Sequence, residues 1–237
     1  MNARSYTVTR YGHTFNLLVD DQIMEHHYRQ GELCEPHLLD WMERNMPRGG
    51  VWVDAGANIG NHSLPFALWA DRVVAFEPMP VNFDLLAMNI ANFTHGFKVE
   101  AWMMGVGSEH GWAQAKKGGT GQNCQWELTK HTDCDQEPIP ITTIDDTLDP
   151  LSDVRLIKLD VEGMEPAAIR GAMRTIERCK PELFIEIWDE AVLEEIDQML
   201  APMGYVLTER YNVAPTFHFS ASGRYPVTYT PAERLRP

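Results

Sequence analysis

Four short apolar runs limit what this chain can fold into: VWV at 51–53, RVVAF at 72–76, VRLIKL at 154–159 and ELFIEIW at 182–188. Each is nearly continuous rather than alternating, as expected of strands buried on both faces. Between and around them lie segments of helical period. Leu38, Leu39, Met42 and Met46 share one face, as do Phe83, Leu86, Ile90 and Phe93. Met164, Ala168, Ile169, Ala172, Met173 and Ile176 form a third such face, and Val192, Leu193, Ile196, Met199 and Leu200 a fourth. Strands alternating with helices predict an α/β fold, a mainly parallel sheet with helices on both faces. Ligands of such sheets bind beyond the carboxyl ends of the strands. The polar residues at those ends are Asp54, Glu77, Gly105–Gly107, Asp160–Gly163 and Glu186.

The remaining pattern is less regular. The first 20 residues predict a hairpin turning near Tyr11-Gly12-His13. Helices are expected from Pro36 to Met46, from about Ser63, and from Val81 to Phe93. A third strand is expected over Lys98–Met104, ending at Gly105-Val106-Gly107, and terminal strands over Tyr205–Thr208 and Thr216–Ser220. The stretch KKGGTGQN at 116–123 fits neither period and reads as a loop or hairpin. This divides the chain into an N-terminal extension, 1–30, and a single domain, 31–237.

A net charge of −14 over 237 residues argues against sequence-independent binding to phosphate backbones or anionic membranes, which takes an excess of Lys and Arg. Cys34, Cys124, Cys134 and Cys179 are scattered without metal-ligand spacing, so free thiols in a reducing compartment are expected. The N-terminus lacks the apolar segment of a signal peptide, and no run reaches membrane-spanning length. A cytoplasmic protein is the expectation. Its oligomeric state is not legible.

The turn after the first strand reads D-x-G-x-N-x-G: Asp54, Gly56, Asn58 and Gly60. A dinucleotide fingerprint needs glycine where Asn58 stands, so a nicotinamide cofactor is disfavoured; a P-loop is excluded because no Lys-Ser or Lys-Thr follows. An acid opening such a turn can pair with an ammonium group, while the glycines bring backbone groups close to a small zwitterion. Glu77, at the end of the second strand, is placed to accept hydrogen bonds from ribose hydroxyls. A ligand with a ribose, an amino-acid end and no phosphate is S-adenosylmethionine.

The segments VDAGANIGNHS, AFEP and IKLDVEGMEPAAIRGA (157–172) resemble the FkbM family of S-adenosylmethionine-dependent methyltransferases. The last is close to the family's I-K-x-D-V-E-G-x-E signature, and PELFIEIW fits its following strand. The resemblance covers about residues 30–190. It implies the class I methyltransferase Rossmann-like fold, a mainly parallel seven-stranded sheet with a reversed last hairpin, and methyl transfer usually to an oxygen of a sugar or polyketide-type metabolite. It further implies that Asp54, Gly56, Ala57, Asn58 and Gly60 hold the methionyl part. Glu77 would hold the ribose with Pro78 beside it, and Gly105 and Val106 would lie by the adenine.

A hydroxyl acceptor must lose its proton, which a carboxylate or histidine can take; alternatively Mg²⁺ could lower its pKa. Asp160 is open to contact with the donor's ammonium, service as base, or metal binding. Glu162 is either a second active-site acid or a cap on the helix beginning near Met164. Glu186 is a third acid or a buried structural partner, and His62 a further candidate base at the start of the helix after the donor turn. His26, His27 and His218 show no ligand spacing. Gln122 and Asn123, flanked by Trp112 and Trp126, are candidates for acceptor contacts, and the tail YNVAPTFHFS for closing the pocket. The leading expectation is O-methylation of a small polar or carbohydrate acceptor, with no nucleic-acid or membrane partner. The rivals are an RNA methyltransferase and a non-catalytic nucleotide-binding module.

Overall fold

In the computed structural model, residues 3–115, 126–129 and 138–228 are described. The elements run β1 (Arg4–Arg10), β2 (His13–Val19), α1 (Gln22–Arg29), α2 (Pro36–Asn45), β3 (Val51–Ala55), α3 (Ser63–Trp69), β4 (Arg72–Phe76), α4 (Pro80–Ala91) and β5 (Val99–Trp102). They continue with β6 (Gly105–Val106), β7 (Gly111–Ala115), β8 (Trp126–Thr129), β9 (Ile139–Thr142), α5 (Ile144–Thr147), β10 (Val154–Leu159), α6 (Glu165–Arg170), α7 (Met173–Cys179), β11 (Glu182–Glu186), α8 (Glu190–Leu200), β12 (Val206–Tyr211) and β13 (Thr216–Ser220). Seven strands make the main sheet in the order β12-β13-β11-β10-β3-β4-β5. β3 runs parallel to β4 and β4 to β5, and β10 runs parallel to β11; β13 is antiparallel to both β11 and β12. This is the α/β, class I methyltransferase architecture with its reversed last hairpin.

The chain resolves into two compact units, Met1–Met103 and Met104–Pro237. In the first, Tyr11 (φ 53°) and Gly12 (φ 77°) both occupy the left-handed region, as a two-residue hairpin turn between right-twisted strands requires. The hairpin's buried face carries Val8, Phe15, Leu17 and Val19, and Phe15 stacks on Phe93 at 4.9 Å between ring centroids. Asn89 of α4 is fully buried and completely used. Its Oδ1 accepts from the Leu18 amide at 2.7 Å, and its Nδ2 donates to the carbonyls of Leu18 (3.0 Å) and Ile59 (2.9 Å). One amide side chain thus joins the hairpin, α4 and the turn after β3. Helix α1, which follows the hairpin, is started by Asp21, whose carboxylate accepts from the Met24 amide at 2.7 Å.

In the second unit, the stretch read as one helix from Met164 to Ile176 is two. The break falls at Gly171, whose carbonyl accepts from the Asp145 amide at 2.9 Å instead of continuing a helix. A Cβ on Gly171 would lie 1.9 Å from the Gly107 carbonyl oxygen, so only glycine permits this approach. The expected third strand is also shorter than read. β5 stops at Trp102, and Gly105–Val106 pairs with β9 in a separate four-stranded sheet, β6-β9-β7-β8. The expected loop at 116–123, with Gln122 and Asn123, lies outside the described residues; the strands flanking it, β7 and β8, pair antiparallel. Of the tail, Thr216–Ser220 is a fully buried strand of the main sheet, as read from the sequence. No helix among the described residues is long and apolar enough to cross a membrane. Cys34 and Cys179 are free thiols, as expected; the other two cysteines lie outside the described residues.

Candidate functional site

At the carboxyl end of β3, Asp54 is completely buried. Its Oδ2 accepts from the Ser63 hydroxyl at 2.5 Å, while Oδ1 has no hydrogen-bond partner among the described residues. A buried carboxylate oxygen left without a donor is costly, and a ligand's ammonium would satisfy it. The turn that follows is built on left-handed backbone at Gly56 (φ 84°), Asn58 (φ 50°) and Gly60 (φ 96°). The amides of Gly56 and Ala57 both donate to the Phe76 carbonyl at 2.9 Å, and Gly60 donates to the Ala57 carbonyl at 2.9 Å. The buried Oδ1 of Asn58 is likewise without a partner among the described residues. The turn therefore offers two unsatisfied acceptors, both in the motif read from sequence.

Glu77 at the end of β4 is 4% exposed. Its Oε2 accepts from the Asn58 amide at 2.8 Å and its Oε1 from the Met79 amide at 2.9 Å. The expected ribose acceptor is thus also the latch that fixes the left-handed turn. Each carboxylate oxygen accepts about two hydrogen bonds, so the latch and a ribose contact are compatible. Pro78 lies between Glu77 and Met79, the N-cap of α4.

His62 does not stand open as a base. It precedes α3, is 8% exposed, and its Nε2 lies 3.1 Å from the Glu35 carboxylate without hydrogen-bond alignment. Neighbouring Asn61 is a brace that the sequence reading missed. Its Oδ1 accepts from the Cys34 amide at 2.9 Å and the Tyr28 hydroxyl at 3.2 Å, and its Nδ2 donates to the Cys34 carbonyl at 3.1 Å. Burial pushes the Cys34 thiol up to about 12, so it is inert at neutral pH.

The acids of the second unit gather around a cavity of about 150 Å³ at the carboxyl ends of β10 and β11, lined in part by Asp160, Glu162, Glu165, Glu186, Trp188 and Asp189. The fold brings together three of the expected residues, Asp160, Glu162 and Glu186. Their environments differ sharply. Asp160 Oδ2 lies 3.0 Å from the Nζ of Lys158, itself 2% exposed and projecting from the same face of β10 two residues earlier. Glu186 Oε1 accepts from the Trp188 indole N–H at 2.6 Å. Glu162 (φ 54°) sits on left-handed backbone. Its carboxyl is pushed up to about 7, first by burial and then by the negative charges of Asp160 and Glu165, against a smaller opposing pull from Lys158.

The N-cap of α6 is Met164, which makes no side-chain capping bond; the acid that bonds the loop before the helix is Glu165. Glu165 is 5% exposed, and its Oε1 accepts from the amides of Val161 (3.3 Å) and Gly163 (3.0 Å). Glu165, Trp188 and Asp189 went unread as cavity residues. The signal for Glu165 was present, as an acid three residues after Glu162 inside the most specific motif. Trp188 and Asp189 carried none, because the strand was read to run through Trp188. Gly105 and Val106, expected by the adenine, are both buried; a Cβ on Gly105 would meet Ile141 Cδ1 at 2.6 Å, and Val106 is 1% exposed. Their part in a binding site gains no support. Among the described residues no group of three His, Cys, Asp or Glu is arranged to hold a metal ion, so the Mg²⁺ alternative has no ligand set there.

Comparison with known proteins places the chain by sequence and by fold. The chain is 27% identical over 226 residues to the methyltransferase sdnD of Sordaria araneosa, covering 78% of this chain and 84% of that one. It superimposes on the crystal structure of an FkbM methyltransferase from Methylobacillus flagellatus with a TM-score of 0.56 and 20% identity, over 72% of this chain but 43% of that longer chain. Trm5b of Pyrococcus abyssi shares the fold at a TM-score of 0.51 and 13% identity, covering 93% of this chain and 56% of the other. The methyltransferase FkbM domain matches residues 54–207, from the first acid of the donor turn to the last hairpin of the sheet. The chain belongs to the FkbM methyltransferase family.

Proposed function

We propose that this protein is an S-adenosylmethionine-dependent O-methyltransferase acting on a hydroxyl of a small polar acceptor, with Glu162 as the base. The observation that carries the reading is the contrast between the acids of one cavity. Asp160 is paired with buried Lys158, Glu165 is engaged by two amides and Glu186 by an indole. Glu162 lines the same cavity, makes none of these bonds, and has its proton affinity raised to near neutrality by burial and its acidic neighbours. A general base works best when its pKa lies near the operating pH.

When bound, S-adenosylmethionine supplies an electrophilic methyl group on a sulfonium, so positioning and proton removal fall to the protein. Asp54 Oδ1 and Asn58 Oδ1 are the acceptors for its amino-acid end, Gly56, Ala57 and Gly60 let the backbone approach, and Glu77 takes the ribose. Glu162 removes the acceptor hydroxyl's proton. Trp188, 63% exposed at the cavity, offers an apolar face to a sugar ring or similar acceptor. Asp160, Glu162, Glu165, Glu186 and Asp189 together make the cavity repel phosphate, which favours a small neutral or cationic acceptor over RNA.

The test has two steps. Thermal melting with S-adenosylmethionine, S-adenosylhomocysteine and NAD is expected to show a rise with the two sulfur ligands and none with NAD. Transfer of labelled methyl from the donor is then followed against neutral sugars, amino sugars, sugar phosphates and RNA. Turnover on the uncharged or cationic hydroxyl compounds, lost about 10²-fold or more in Glu162→Gln, is expected. Turnover confined to RNA, or unaffected by Glu162→Gln, refutes the reading.

A further inference from the structure

Two consecutive left-handed residues, Glu162 (φ 54°) and Gly163 (φ 98°), turn the chain from β10 into α6. For glycine this costs little, but a residue with a side chain held there costs on the order of 1 kcal/mol or more and persists only where its surroundings impose it. The imposing group is visible. The amides on either side of Glu162, those of Val161 and Gly163, converge on a single oxygen, Oε1 of Glu165. Released from that oxygen, the turn has no other described hydrogen bond from these two amides to keep Glu162 in place.

Glu165 is an expensive residue for a simple helix start. It is 5% exposed, and burial raises its own proton affinity against the lowering effect of the amide bonds. A serine, threonine or aspartate at the N-cap itself would satisfy a free amide with less burial, yet that position is Met164, which makes no capping bond. The acid stands instead where it reaches backward around Glu162 and shares a cavity with it.

We infer that Glu165 is a positioning residue: by binding the two amides that flank Glu162, it holds the Glu162 carboxyl on the wall of the cavity. The inference rests on the proposed role of Glu162 as base. Reach and charge are separable. Glu165→Asp keeps the charge but is one methylene too short to bind both amides; Glu165→Gln keeps an acceptor oxygen at full reach but loses the charge.

The experiment is a pH titration of the full chain labelled with ¹³C at the glutamate carboxyls, the Glu162 signal being assigned by its loss in Glu162→Gln. The wild-type signal is expected to titrate near neutrality. In Glu165→Asp its midpoint is expected to fall by about one unit or more, as the freed carboxyl moves into water; in Glu165→Gln it falls less. A larger fall in Glu165→Gln than in Glu165→Asp, or equal midpoints in wild type and Glu165→Asp, overturns the positioning role and leaves Glu165 as a charge or a filler. Should Glu165→Asp not fold, Glu165→Gln decides: a midpoint within about half a unit of wild type supports the inference, and a fall of a full unit overturns it. A wild-type midpoint in the ordinary glutamate range instead removes Glu162 as the base, which is a separate outcome from the order of the two shifts.

Discussion

Asp54 shows how much one side chain can hold in reserve. One carboxylate oxygen takes the Ser63 hydroxyl, and the other is buried with no donor among the described residues. Asp54→Asn keeps an oxygen for Ser63 and removes the charge that would meet an ammonium. The expected outcome is a donor Kd raised at least about tenfold, a loss near 1.4 kcal/mol, with the ligand-free melting temperature unchanged or higher. Calorimetric titration with S-adenosylhomocysteine checks it, and an unchanged Kd would sink the assignment. Glu162 makes the opposite case, through pH. Its folded-state proton affinity is raised from the ordinary glutamate value to about 7, so the protonated form favours folding and that stability is lost as pH rises between about 4.5 and 7. Glu162→Gln is therefore expected to be the more stable protein at pH 8, by about 1 kcal/mol once solvent screening of a partly exposed group is allowed for. The advantage should vanish below about pH 4.5. Melting curves of both proteins across that range decide it, and a Gln variant no more stable at pH 8 would count against a buried, crowded carboxylate.

At the scale of elements, the strands were the most legible part of the chain. Val154–Leu159, Arg72–Phe76 and Thr216–Ser220 are read with the boundaries they have: the first two are mostly apolar runs of sheet-interior strands, and the third alternates around Phe217 and Phe219. Helix α1 was not read, since its apolar positions are few and only Tyr28 is buried. The break between α6 and α7 was invisible for a different reason. Apolar periodicity runs straight through Gly171, and what marks the break is a set of contacts made only on folding: the Asp145 amide on its carbonyl and the Gly107 carbonyl where a side chain would stand. Gly171→Ala is expected to lower stability by about 3 kcal/mol, the upper end of ordinary overpacking, because the obstructing atom is backbone that cannot change rotamer. Chemical denaturation measures it; a loss below about 1 kcal/mol would mean that the two segments separate easily.

Across the whole molecule, the turn after β3 was legible as a motif because its residues are local. Asp54 to Gly60 are contiguous, and Glu77 follows at the distance that a strand–helix–strand unit imposes. The other acids were found as strand ends but not sorted by role. Their differences come from partners that a spacing does not reveal: Lys158 across the strand pleat, Trp188 around a bend, and two amides drawn to Glu165. The surroundings of His62 were hidden for the same reason, Glu35 lying 27 residues earlier and brought close by the segment that Asn61 clasps.

The buried amide of Asn89 bears on how much of the chain the family's fold needs. Residues 1–53 fall outside the region matched to the FkbM domain, yet Asn89 spends one acceptor and one donor on Leu18 in that stretch and another donor on Ile59 in the donor turn. A chain shortened to start at the matched region would strand that amide in an apolar setting and strip Phe93 of the ring it stacks on. The hairpin thus covers the one polar side chain that also holds the turn after β3.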